Sequence, residues 1–548
     1  MGAEQTPPTI LGQAKINKHV EKKPCEIKKD YYIPAVLPKW EIAIYFLVWS
    51  GHTLASFIIA DNASQIYKNR FYHFLTNSSY VNDQLYDTSD TEWILFKEGM
   101  RDFLPSMIGH FLLFNFGHQF IPKVLMRWVQ IGYWICMHVY LTNLTSVCFI
   151  LVAAPCAALI TSVFRHALPV WVLAVGFVLK ANDIAPYVHY STVIYYRQFN
   201  LYLYTAVQVI NFCSYLAKNR HIRLVDALPR FIEYLFYPPY SVTLIVLYED
   251  FDRQMTEREF RKREPIGQLA IRLIRLVFWF FFVEAFLHRI FVNAIFVSPS
   301  SVISQMGTYS ISAVAFLAGQ YFHVKYVLIF GLPAFFAHLD NMTPPGPPIC
   351  ISRVSKYAQM WRYFDRGLYE FLKIQVYLPL IGQKFSPWRK LGAMVVAFGF
   401  VLAWHGTSSK YLWWVLISAT EIVVERVGAA IYSRQVFQDV FLAISPRIRR
   451  RLIACALWTT TILGIFSIFF FLGGPGVGAV IIKRVLFDGL TGIFTGDIKW
   501  TANGPTAGFV LTHLLIVGYC FSHVCMSLEQ ADRDKKKKDL LMIEKKDE

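Results

Sequence analysis

Apolar stretches approaching the roughly 20 residues of a membrane-spanning helix recur along almost the whole chain. They lie near positions 40–60, 104–122, 130–165, 167–181, 200–217, 230–248, 268–298, 308–338, 391–404, 411–434, 452–472 and 506–527. With 55% hydrophobic, 16% aromatic and only 17% charged residues in 548, the chain is too apolar for a soluble protein of two or three domains. The expected fold class is an all-α polytopic membrane protein. Some runs are too long for one pass and others too short, so the expectation is about ten to twelve transmembrane or re-entrant helices.

The formal net charge of +17 raises the question of nucleic acid, but its placement argues against that partner. Lys15, Lys18, Lys22, Lys23, Lys28 and Lys29 precede the first span. Arg447, Arg449, Arg450 and Arg451 sit between late spans, and Lys535 to Lys538 follow the last. Basic clusters beside spans mark the cytoplasmic side and meet anionic membrane lipids, so both termini are expected in the cytosol. The first 38 residues are polar and show no signal peptide. The expected division is a lysine-rich cytosolic tail at 1–38, a multi-pass domain at 39–528 with its core near 340–430, and a basic cytosolic tail at 529–548. The chain ends Lys545, Lys546, Asp547, Glu548, an arrangement similar to the dilysine retrieval signal of the endoplasmic reticulum membrane. Asn62 and Asn77 are glycosylation acceptors expected in a lumenal loop after the first span, whereas the Asn143 acceptor lies in an apolar run.

Two interruptions carry structural meaning: FYPPYS at 236–241 and GGPGVG at 473–478. Proline and glycine there free backbone groups that lipid cannot satisfy, so these segments must be buried in protein or line a cavity. The charged stretch 250–265 reads as a helical connector between apolar blocks. The nine cysteines contain no CxxC pair and mostly lie in apolar runs, which excludes a disulfide or zinc framework. GGPGVG lacks the Lys-Ser/Thr of a phosphate loop, and neither GxSxG nor HExxH occurs. Nothing supports a soluble enzyme.

Chemistry at membrane depth needs ionisable groups, which are costly there and therefore functional candidates. Among the histidines within or beside apolar runs, His405 stands out, following Met394 to Trp404 and preceding Gly406, where a missing side chain permits close approach. A neutral imidazole can take a proton from an amine or hydroxyl attacking a carbonyl. Upstream, MWRYFDRGLYEFLKIQVYLPLIG at 360–382 carries Trp361, Arg362 and Asp365 on an expected helix. The spacing puts Arg362 and Asp365 on one side of that helix, as an ion pair or with Arg362 on an anion such as phosphate.

These residues resemble the membrane-bound O-acyltransferase family, and within it the hedgehog acyltransferase branch. The likeness rests on FYPPY at 236–240, DNMTPPGPPICIS at 340–352 leading into MWRYFDRGL, and AFGFVLAWHG at 397–406 leading into YLWWVLISATEIVVERVG. It extends from about residue 90 onward and is strongest between 340 and 430. The resemblance implies helices around a membrane-crossing tunnel, with His405 as the family histidine and Asp365 as the acid required with it. Trp361, Arg362 and Trp404 are implied to line the acyl-CoA site. Cys350 matches a cysteine that ligates haem iron in close relatives, which implies a structural haem b; thiolate is an established axial ligand, and no metal is required for the chemistry. Members of this branch transfer palmitate from palmitoyl-CoA to the amino-terminal cysteine of a secreted signalling protein. The resemblance therefore implies an enzyme of the endoplasmic reticulum membrane with those two partners.

Three other readings stand beside it. The fungal Gup proteins, of the same fold, act on lipid or glycosylphosphatidylinositol hydroxyls, and the same histidine would serve either acceptor. A transporter would explain broken helices but not the WHG and FDRGL motifs. A non-catalytic scaffold has no use for His405.

Overall fold

The computed structural model describes residues 37–184, 191–383, 386–502 and 504–547; nearly all of the expected 1–38 tail lies outside them. The described chain is overwhelmingly helical. Its first part runs α1 Lys39–Tyr67, α2 Thr91–Phe116, α3 Lys123–Leu141, α4 Leu144–Phe164, α5 Leu168–Ile184, α6 Thr192–Lys218, α7 Leu224–Phe236, α8 Tyr248–Glu257 and α9 Ile266–Leu287. The short helices α10 Val292–Val297 and α11 Ser300–Ser304 lead into the long α12 Thr308–Leu339. Then come α13 Tyr357–Tyr363, α14 Arg366–Phe371, a π-helical turn Leu372–Tyr377, α15 Leu378–Ile381, α16 Pro387–His405 and α17 Ser409–Tyr432. The chain closes with α18 Gln435–Ala443, α19 Pro446–Leu472, α20 Val477–Ile481, α21 Asp488–Phe494 and α22 Ala507–Asp547. The β-structure described is confined to two small antiparallel hairpins, β1 Leu75–Asn77 with β2 Leu85–Asp87, and β3 Trp500–Thr501 with β4 Gly504–Pro505.

Local chemistry explains many starts. The side chains of Asp90, Asn143, Ser191 and Ser445 each accept a backbone N–H three residues on, capping α2, α4, α6 and α19. Pro387 and Pro446 open α16 and α19 at the one position where a missing N–H costs nothing.

Five of the described helices are long and apolar enough to cross a membrane: Lys39–Arg70, Leu144–Phe164, Thr308–Leu339, Pro446–Leu472 and Ala507–Asp539. The remaining expected membrane elements are shorter, broken or more polar. Helix α6 shows why polarity need not exclude depth: Gln198 donates to Ser146 Oγ at 2.9 Å, Gln208 to Tyr234 O at 2.9 Å, and Asn211 to the Tyr234 hydroxyl at 3.3 Å. All three are buried against other helices, not lipid.

The FYPPYS interruption is buried in protein throughout, whereas in GGPGVG only Gly473, Val477 and Gly478 are buried and Pro475 and Gly476 are exposed. Pro238–Tyr240 forms a 3-10 turn, and the Tyr237 hydroxyl donates to buried Asp340 at 2.7 Å. Asp340 also accepts from Asn115 at 2.8 Å and from His110 Nε2 at 2.8 Å, while Trp134 donates to His110 Nδ1 at 2.9 Å. That last bond places the imidazole proton on Nε2, so every bond to the Asp340 carboxylate has a donor. The network ties α2, α3 and the FYPPY turn to the end of α12. In GGPGVG, Gly474 N–H donates to Phe296 O at 2.7 Å.

Two sequence expectations change. Asn62 lies on α1, which continues to Tyr67, so it is an exposed helical residue and not part of a loop; Asn77 sits exposed on β1. Helix α22 continues through the expected basic tail to Asp547. The connector 250–265 is helical only to Glu257.

Candidate active site

Asp365 and His405 each sit at a break between two helices. Asp365 is the N-cap of α14, its Oδ1 accepting Leu368 N–H at 2.9 Å. The residue before it is held by stacking of Phe364 on Phe322 of α12, ring centroids 5.6 Å apart. Gly367 explains the glycine of FDRGL: a Cβ there would meet Ile245 O at 2.3 Å, so α14 packs backbone to backbone on the segment after FYPPY. His405 is the last residue of α16, and Gly406, at φ +101°, makes the turn into α17.

These two breaks are brought together by pairing of the helices that flank them. Phe371 of α14 contacts Phe400 of α16 at 5.3 Å, and Arg389 reaches Ile381 O at 3.5 Å. Trp361 of α13 stacks on Trp414 of α17 at 5.5 Å and 22°, and meets Phe398 of α16 edge-on at 5.0 Å. The His405 ring stands nearly perpendicular to Trp414 at 5.1 Å and to Phe471 of α19 at 5.2 Å.

A mainly apolar cavity of about 1200 Å³ is lined by both Asp365 and His405. Each side chain is half-buried, inside the protein yet open to that space. Trp361 and Trp404 line it as expected, with Trp404 held edge-on by Tyr204 at 5.3 Å. Low polarity around two ionisable groups strengthens their interaction with any charge that develops between them.

Two expected residues lie elsewhere. Arg362 is absent from the lining; its guanidinium lies 5.7 Å over the ring of Tyr369, which does line the cavity. No Arg362–Asp365 ion pair forms among the described residues, because α13 ends at Tyr363 and the two side chains do not share a helix. Cys350 is exposed and caps the 3-10 turn Ile351–Arg353; Ile351 and Ser352 reach the cavity but Cys350 does not.

Sequence reasoning missed Tyr204 and Tyr326, from α6 and α12, and the cations Lys356, Lys373, Lys390 and Arg426, all in the lining. Nothing in the local pattern marks the tyrosines. The cations carried a signal, since a lysine or arginine beside an apolar run calls for an explanation.

A sequence profile of the membrane-bound O-acyltransferase family matches residues 161–469, more than half of the chain. Protein-cysteine N-palmitoyltransferase HHAT of Mus musculus is 26% identical over 517 residues, covering 90% of this chain and 99% of the mouse protein. Protein-cysteine N-palmitoyltransferase Rasp of Drosophila melanogaster is 26% identical over 469 residues, 83% of this chain and 92% of the fly protein. Membrane-bound O-acyltransferase GUP1 of Candida tropicalis is 26% identical over 205 residues, 36% of this chain and 34% of the yeast protein. With a helical membrane fold, and with a histidine and an acid both on the wall of one mainly apolar cavity, the chain belongs to the membrane-bound O-acyltransferase family, in its hedgehog acyltransferase and Gup-like branch, and is a multi-pass membrane acyltransferase.

Proposed function

We propose that this enzyme transfers palmitate from palmitoyl-CoA to the amino-terminal cysteine amine of a secreted signalling protein, with His405 as general base. The observation that carries the reading is the sharing of one cavity by Asp365 and His405, which arrive from separate helix breaks. The near full-length similarity to two palmitoyltransferases supports the acceptor class.

Palmitoyl-CoA enters from the cytosolic face, with its phosphates held by cations such as Lys373, Lys390 and Arg426 at the cavity wall. Its chain lies in the apolar space, where each CH₂ removed from water contributes about 0.8 kcal/mol. The acceptor amine comes from the lumenal side. As its nitrogen attacks the thioester carbonyl, His405 takes the amine proton; the C–S bond breaks, and the proton passes to the departing CoA sulfur. Holding both substrates in one dry space supplies a large part of the rate. Asp365 stabilises the positive charge that His405 acquires. The protein resides in the endoplasmic reticulum membrane with both termini cytosolic.

Incubation of the purified protein with labelled palmitoyl-CoA and either a cysteine-terminated peptide or a lysolipid tests the acceptor. Label is expected on the peptide amine. Label on the lysolipid alone would replace this reading with the Gup-like one, which the shorter similarity to GUP1 supports.

The proposal includes a haem b held by the Cys350 thiolate. The residue fits on donor chemistry: its sulfur is exposed and stands outside the reaction cavity. Cys350 would hold the group through its thiolate sulfur. Bound there, the group would brace the loop between α12 and α13, and transfer would not pass through it. The purified protein is expected to show a haem absorption band that Cys350→Ser removes. An equal band in the variant would overturn the assignment.

A further inference from the structure

Helix α13 starts without a cap from its own neighbourhood: the N-cap residue, Lys356, offers no side-chain hydrogen bond to it. The first N–H groups of any helix need partners, and Tyr357 is buried away from solvent that could supply them. Here they come from the other side of the site. Glu425 of α17 accepts Tyr357 N–H with Oε1 and Ala358 N–H with Oε2, the latter at 2.9 Å. Tyr357 is then gripped twice more. Its hydroxyl bonds Ser418 of α17 at 2.8 Å and Ser467 of α19 at 2.9 Å, and those serines bond each other at 3.2 Å. Its ring lies so close on Gly464 that a Cβ there would approach it to 2.4 Å.

The consequence reaches the chemistry through a ladder of contacts between α13 and α17. Tyr357 is tied to Glu425 and Ser418, Trp361 one turn on stacks on Trp414, and Trp414 meets the His405 ring. The same α13 leads directly into Asp365, while α17 leads directly out of the His405 turn. Glu425 therefore binds the segment that delivers the acid to the helix that follows the base.

We propose that Glu425, with Tyr357 as its handle, is the positioning residue that holds the Asp365 break and the His405 break in register across the cavity. It rests on the reading of Asp365 and His405 as the reacting pair but is indifferent to the acceptor. Glu425 is not part of the cavity lining. The neighbouring Glu421, one turn earlier on α17 and fully buried, has no hydrogen-bond partner for either oxygen among the described residues, so it does not share the clamp and serves as an internal control.

The test uses the full-length protein, palmitoyl-CoA and whichever acceptor the unmodified enzyme labels. Glu425→Ala is expected to lower kcat by about ten- to a hundredfold, since a misplacement of about 1 Å far from the chemistry can cost 10²-fold. KM for palmitoyl-CoA should stay within about twofold, because the cations that hold CoA phosphates remain in place. Glu425→Gln keeps the size and one acceptor oxygen and should recover most of kcat, and Glu421→Gln should match the unmodified enzyme. In an Asp365→Asn background, Glu425→Ala should add little, because the acid it positions is already gone. Should Glu425→Ala fail to fold, Tyr357→Phe, which deletes one hydroxyl, carries the test with a smaller fall in kcat. Unchanged kcat in Glu425→Ala, an equal loss in Glu421→Gln, or full additivity with Asp365→Asn would each overturn the clamp. Loss of palmitoyl-CoA binding in step with kcat would do the same, by reducing Glu425 to general stability. A failure of His405→Ala to impair transfer would instead strike the underlying reading, leaving the two distinguishable.

Discussion

His405→Ala is expected to lower acyl transfer by about 10²- to 10⁴-fold, the usual worth of a general base, with palmitoyl-CoA binding and folding preserved. The structure separates the two effects. The His405 ring is edged by Trp414 and Phe471 at 5.1 and 5.2 Å and opens on a cavity that already exists. Truncation therefore enlarges that space instead of leaving a sealed void, and the main penalty of large-to-small substitution is reduced. The turn into α17 depends on Gly406 and its positive φ, which alanine at 405 does not disturb. His405→Gln, which keeps bulk and hydrogen bonding but cannot take a proton at neutral pH, should fall nearly as far. Turnover in detergent, measured beside binding of labelled palmitoyl-CoA, decides the matter. Near-normal turnover in both variants would remove His405 from the chemistry.

Hydropathy made the helical membrane class legible because the signal extends over whole segments and needs no partner. Single-residue outliers were legible for a related reason: histidine or aspartate in an apolar run demands explanation whatever surrounds it. What could not be read was set by where helices break. Arg362 and Asp365 look like a pair three apart on one helix, yet α13 stops at Tyr363 and Asp365 caps the next helix, sending the two side chains to different neighbours. Asn62 looks like loop because polar residues follow the apolar run, but α1 continues to Tyr67. Tyr204 and Tyr326 reach the cavity through packing on Trp404 and Phe364, far along the chain, a long-range fact with no local trace. Glu425 belongs with them, since its hydrogen bonds to α13 join residues 68 and 67 positions apart.

Asp365→Asn separates charge from architecture. As N-cap of α14, Asp365 accepts Leu368 N–H at 2.9 Å, and asparagine performs that task about as well as aspartate. The variant should fold and melt like the unmodified protein. Transfer should nonetheless fall by about 10²-fold or more, the scale seen when one preorganised electrostatic partner is removed from a reacting centre. The physical reason is that His405 becomes positive as it takes the proton, in a space lined mainly by apolar groups where an opposite charge counts far more than in water. Asp365→Ala should show the same kinetic loss together with about 1 kcal/mol of destabilisation from the missing cap. The pair of variants makes the two roles readable in one experiment with two observables, turnover and melting temperature. If Asn turns over normally while Ala melts early, Asp365 is a cap and nothing more, and the positive charge on His405 must be met by another group of the cavity wall.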